Sequence, residues 1–142
     1  MPYLVSPATE PEISHIITIM FCAYAGRNEY INVVFPEGLT PGGHALTVQR
    51  LLFIQSVAPC VWWNKVVDEA TGELLGGAMW NLCVREKPPA YEMDGPEGTW
   101  DTEEDKRYAQ ALQRSFVEDE GQIWDRERLP ILGMFACLCL CG

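Results

Sequence analysis

The residues able to do chemistry are few and widely spaced. Cys137, Cys139 and Cys141 alternate near the end of the chain, and in a strand a period of two puts three thiols on one face. Three thiols together suggest a metal centre. The spacing is not the Cys-x-x-Cys of zinc sites, however, and no histidine lies near, so small apolar side chains of a strand are the simpler reading. Gly42-Gly43-His44 precedes a helical stretch, a place where backbone N–H groups can meet a phosphate. It lacks the Lys-Ser/Thr of a P-loop, which leaves a plain loop as the expectation. Gly76-Gly77 falls within a strand-like run and marks either close approach of a ligand to the backbone or a β-bulge, the commoner meaning of strand glycine. His15 and His44 are the only histidines, and neither has an evident serine or cysteine partner for nucleophilic catalysis. His15 falls on the polar side of its helix. Glu103-Glu104-Asp105 and Glu118-Asp119-Glu120 offer carboxylates for general-base work, but such runs are most simply solvated helix faces and caps.

The elements that must position these groups are easier to read. The clearest is a hairpin: Val61–Val67 and Leu74–Trp80 are apolar, β-prone runs separated by the polar loop Asp68–Glu73. Gly72 can supply the left-handed residue that closes such a loop. The second run extends as far as Val84. Tyr3–Val5 reads as a first strand. A helix follows from Thr9, whose spacing to Glu12 is that of a capping box, with Pro11 in the first turn where a missing N–H costs nothing. Ile13, Ile16, Ile17, Met20, Phe21 and Tyr24 then form one apolar face, and Gly26 ends the helix. Asn28–Gly43 reads as a loop, broken by Pro36, Gly38, Pro41, Gly42 and Gly43. A second helix runs from about His44 to Gln55 with Ala45, Val48, Leu51, Leu52 and Phe53 on its apolar face, and Pro59 stops it. Glu86–Trp100 is a loop. Thr102 caps a third helix with Glu103, Glu104 and Asp105 at its positive end. Tyr108, Leu112 and Phe116 stack along it, and a break falls near Gly121 before a short segment, Gln122–Arg128. Leu129–Cys141, unbroken by charge, reads as a buried strand. The expected order is β-α-α-β-β-α-β, an α+β (mixed α/β) sheet centred on an antiparallel hairpin and flanked by helices.

Composition narrows the class. A chain of 142 residues fits one domain and can bury a core without disulfides or metals. Its net charge of −10 repels duplex DNA and anionic lipid, so neither nucleic acid nor membrane is an expected partner. The first basic residue is Arg27, so the basic start of a secretory signal is missing, and Ile131–Cys141 is too short to span a bilayer. The six cysteines are therefore expected to be reduced thiols of a cytoplasmic protein. Core packing is the default role of the five tryptophans.

Three stretches together resemble the fungal branch of the GNAT acyl-CoA N-acyltransferase superfamily. They are Val5-Ser6-Pro7-Ala8-Thr9-Glu10-Pro11-Glu12-Ile13, leading to an aromatic-rich loop that ends in Phe35-Pro36; Trp63-Asn64-Lys65-Val66-Val67-Asp68 with Thr71-Gly72-Glu73 and Gly76-Gly77-Ala78-Met79-Trp80; and Leu132-Gly133-Met134-Phe135-Ala136-Cys137. The resemblance covers most of the chain and implies the N-terminal part of that fold. It implies transfer of an acetyl group from acetyl-CoA to an amine of a small molecule or peptide, with no metal. By resemblance, Phe135, Ala136 and Cys137 face the pantetheine arm, whose thioester the fourth-strand backbone polarises. Phe35 and the Asn28–Gly38 loop lie on the acceptor side. No catalytic base is identified. In the family the fourth strand continues into a Gln/Arg-x-x-Gly-x-Gly/Ala turn, where a helix N-terminus binds pyrophosphate. This sequence ends Leu138-Cys139-Leu140-Cys141-Gly142, so it is expected to be truncated before that turn. The alternative expectation is a catalytically inactive remnant or a protein-interaction module, forming a homodimer through its open sheet edge and leaving some tryptophans exposed.

Overall fold

The computed structural model describes residues 2–87 and 92–138 and, over 135–138, the course of the backbone. Strand β1 (Tyr3–Pro7) leads into helices α1 (Glu10–Tyr24), α2 (Glu29–Val34) and α3 (Pro41–Val57). Strands β2 (Val61–Asp68) and β3 (Leu74–Cys83) follow, then helix α4 (Glu103–Glu127) and strand β4 (Ile131–Leu138). The four strands form one antiparallel sheet in the order β1-β2-β3-β4. The fold is α+β. Three helices, not two, separate the first strand from the hairpin.

Local chemistry explains most of these elements. The carboxylate of Glu12 accepts the backbone N–H and the hydroxyl of Thr9 at 2.8 Å each, which satisfies donors that a helix start leaves free. It also pairs with Lys65 of β2, so one carboxylate both caps α1 and ties it to the sheet. The hairpin turn is held by Asp68, whose Oδ1 accepts the N–H groups of Ala70 (2.8 Å) and Thr71 (3.2 Å). Gly72 sits there at φ 72°, the left-handed region that favours glycine.

Three expectations are corrected. Asn28–Gly43 is not a continuous loop, because it contains α2. Asn28 Oδ1 caps that helix through Ile31 N at 3.0 Å, and tertiary donors satisfy its last carbonyls, as described below. Pro41, Gly42 and Gly43 belong to the first turn of α3, since Thr40 accepts from Gly43 N at 3.1 Å and proline is well suited to that first turn. Helix α4 runs straight through Gly121. Trp124, one turn on, is buried, and Lys87 pairs with Asp125. Those anchors outweigh the roughly 1 kcal/mol that glycine costs a helix interior.

The core lies on one face of the sheet. Ile13, Ile16, Ile17 and Met20 of α1 pack against Trp63 of β2, with Leu51 of α3 and Ile31 and Val34 of α2 completing the cluster. Gly77 permits this close packing: a Cβ there would lie 2.4 Å from Ile16 Cδ1 and 2.6 Å from Asn64 O. The close approach to Gly77 is therefore made by a helix, and the ladder shifts register beside Gly76, between Val66 and Val67, as a bulge does. The other face of the sheet carries Val5, Trp62, Val66, Ala78, Trp80, Leu82, Leu132 and Met134 by alternation along the strands. Leu132 and Met134 are 59% and 61% exposed. Strand β4 is thus not buried on both faces, and the helices do not flank the sheet on both sides. No helix among the described residues is long and apolar enough to cross a membrane.

Candidate functional site

A cavity of about 680 Å³ lies on the helical side, between α2, α3, β3 and the 92–96 segment. Its size falls within the usual range for small-molecule sites. The walls are largely apolar, with Val34, Phe35, Leu51, Ile54, Met79 and Met93 among them. Phe35, expected on the acceptor side, is one of these walls.

Arg50 is the residue that gives the cavity its chemistry. It projects from the inner face of α3, where Gly43, Thr47, Arg50 and Leu51 are buried. That face differs from the expected one, for Ala45 and Phe53 are exposed. Gly43 is buried for a packing reason: a Cβ would meet Glu37 O at 2.2 Å. Arg50 itself is only 8% exposed. Its Nη1 donates to Val34 O at 2.7 Å and its Nε to Asp94 O at 3.1 Å. The guanidinium lies 5.2 Å from the Phe35 ring centroid and 4.9 Å from that of Trp100, within reach of cation–π attraction. Trp100 Nε1 donates to Val33 O at 3.0 Å. Arg50 and Trp100 therefore supply the donors that the short helix α2 needs at its C-terminal end, where a cation is also favoured by the helix dipole. Burial lowers the Arg50 pKa to about 10, opposed by Asp94, and the side chain stays cationic at neutral pH.

No carboxylate pairs with Arg50 among the described residues. Asp94 instead accepts from Lys106 at 2.7 Å and from Gly95 N at 2.9 Å, and these contacts hold its carboxyl below the usual range. Glu92, on the same rim, pairs with Arg114 at 3.2 Å. Tyr30 lines the cavity edge-on to Phe116, with ring centroids 5.3 Å apart. Burial raises its pKa, so its phenol keeps its proton.

The sequence-predicted groups are not brought together as a set. Phe135, Ala136 and Cys137 lie in β4 opposite Met79, Ala78 and Gly77. Because Met79 is also a cavity wall, the Phe135 position adjoins the cavity that holds Phe35. His44 is a structural side chain: its Nε2 lies 3.0 Å from Thr18 Oγ1 and 3.2 Å from Ser14 O, and its ring packs on Phe21. His15 is exposed. Glu103 and Asp105 form the first turn of α4, capped by Thr102. Cys139 and Cys141 lie outside the described residues. The described thiols of Cys22, Cys60 and Cys83 are free, and no cluster able to hold a metal occurs among the described residues.

The sequence matches no family model and no curated protein.

Proposed function

We propose that the protein is an N-acetyltransferase-like domain of the GNAT type, moving an acetyl group from acetyl-CoA to the amine of a small molecule or peptide. One observation carries the proposal. Strand β4 pairs with β3 along one side, and no strand pairs with its other side among the described residues. That unpaired row of N–H and C=O groups can hydrogen-bond an extended, amide-bearing arm much as it would an added strand. The stretch Phe135–Cys137 belongs to this edge, and its register against Met79 sets it beside the Phe35 cavity. A pantetheine arm along β4 and an amine in the cavity would then be neighbours. The amine nitrogen would add to the thioester carbon, backbone N–H groups of β4 would stabilise the oxyanion so formed, and its collapse would break the C–S bond, the amine's proton passing to water. Tyr30, protonated in the cavity wall, is suited to give a proton to the leaving thiolate, not to take one from the amine. Glu92 and Asp94 are each engaged by a cation, so neither is assigned as the base.

Calorimetric titration of the chain with acetyl-CoA and with CoA tests the proposal. Saturable micromolar binding is the expected result. No binding by a chain that is folded by circular dichroism rejects it for this polypeptide.

The exposed apolar sheet face supports a second reading, a non-catalytic module that self-associates. A contiguous apolar face is unusual on a monomer, and a second copy pairing along β4 would extend both the sheet and its apolar surface. Light scattering coupled to gel filtration separates the two readings: a monomer at tens of micromolar rejects the homodimer.

A further inference from the structure

The cavity wall holds a cation that no carboxylate contacts directly among the described residues. Removing a charge from water is expensive unless it is paired, and the usual partner of a buried guanidinium is a carboxylate. Arg50 has none among the described residues. Two carbonyl oxygens and two aromatic rings hold it, and among the described residues it donates through Nε and Nη1 but not Nη2. Carbonyls and rings orient the fork without cancelling its charge. The nearest acid, Asp94, gives its carboxylate to Lys106. Val34, Leu51, Ile54, Met79 and Met93 give the cavity walls suited to an apolar body, and the two carboxylates that also line it, Glu92 and Asp94, are each paired with a cation, Arg114 and Lys106.

We propose that this cavity binds a small amphiphilic carboxylate, with its carboxylate on the Arg50 fork and its hydrocarbon or aromatic body against Ile54, Met79 and Met93. The planar fork suits two-point carboxylate binding in a way a lysine would not. The assignment deepens the acetyl-transfer proposal, because the cavity is that proposal's acceptor side: the acceptor amine would also carry a carboxylate, as a hydrophobic amino acid does. It does not depend on transfer occurring, and binding is measured without acetyl-CoA.

The test titrates the intact chain with octanoate, 1-octanol and octylammonium, three ligands with the same body and different heads. Tryptophan fluorescence reports on Trp100 beside Arg50, and amide shifts report the site. The expected result is octanoate binding at least tenfold tighter than octanol, with octylammonium weaker than both. Equal affinity for octanoate and octanol, or preference for the ammonium, overturns the assignment and leaves Arg50 as a purely structural cap of α2. Two variants localise the effect. Arg50→Lys keeps the charge but loses the fork and is expected to bring octanoate down to the level of octanol. Ile54→Trp fills the cavity and is expected to abolish binding with the fold intact by circular dichroism. Unchanged octanoate affinity in a folded Ile54→Trp variant places the ligand elsewhere and rejects the site. The wild-type ligand series stands even where Arg50→Lys does not fold. Octanoate binding without acetyl-CoA binding rejects the transferase reading alone; acetyl-CoA binding without carboxylate preference rejects this inference alone.

Discussion

The two faces of the sheet are made by the same strands, yet they have opposite fates. Trp63 points one way along β2 and is 2% exposed beneath α1; Trp62, its neighbour, points the other way and is 38% exposed. Met79 lines the cavity, whereas Ala78 and Trp80 lie on the uncovered face with Leu132 and Met134. Alternation predicts this partition for any strand. What it does not predict is that both sides are apolar while only one has helices on it. An antiparallel sheet with one wet face ordinarily shows polar residues there. The covered face thus accounts for stability and for the cavity, and the uncovered face is a surface whose apolar character the described residues do not use.

Substitutions on the two faces sharpen that contrast. The largest effect is expected at Gly77. Gly77→Val would drive a side chain into Ile16 and the carbonyl of Asn64, and loss of cooperative folding by circular dichroism is the outcome that checks it. Ile16→Ala, fully buried in the same layer, is expected to cost about 2–5 kcal/mol in denaturant unfolding. A cost below about 1 kcal/mol, the range of a tolerated surface change, would mean that the covered face is not the core. Trp62→Ser on the uncovered face is expected to change stability by no more than about 0.5 kcal/mol while reducing self-association in light scattering. A loss comparable to that of Ile16→Ala would break the comparison.

A smaller and pH-dependent effect links the two sides of the covered layer. Lys65, followed by the Thr9 N–H, holds the Glu12 pKa at about 2, below its ordinary 4.5. A depressed acid stabilises the fold in its ionised form. The Glu12 contribution is therefore full above pH 4.5 and is lost as pH falls through about 2. Glu12→Gln is expected to flatten the acid limb of the stability profile between those values and to leave its slope above pH 5 unchanged, as measured by urea midpoints across the range.

Elements specified by local chemistry were legible in the sequence, and those specified by tertiary partners were not. The Thr9–Glu12 spacing, the Asp68–Gly72 turn and the Thr102 cap each satisfy backbone groups within a few residues, so α1, the hairpin and the start of α4 could be read directly. Helix α2 could not, because donors for its last carbonyls come from Arg50 and Trp100, far along the chain. The inner face of α3 was misread for a related reason. Its buried stripe is Gly43, Thr47, Arg50 and Leu51, half of it polar, and Thr47 is satisfied by Gly43 O at 2.9 Å. A search for apolar periodicity passes over such a stripe. Phe35, which the resemblance puts on the acceptor side, lies in the cavity wall. Arg50 was not legible, although it is the one charged residue of the Leu46–Ile54 stretch, and that was the available signal. Tyr108 and Phe116 show the converse, since their regular spacing on α4 leaves them exposed.

Acetyl transfer as proposed would take place at the unpaired edge of β4, next to the cavity. Amide chemical-shift mapping with acetyl-CoA tests that most directly. Saturable shifts are expected along Met134–Cys137 and around Phe35 and Met79, with Val5 and Trp62 unmoved. Shifts confined to Val5, Trp62, Trp80 and Leu132, or no saturable shift in a folded chain, would contradict it.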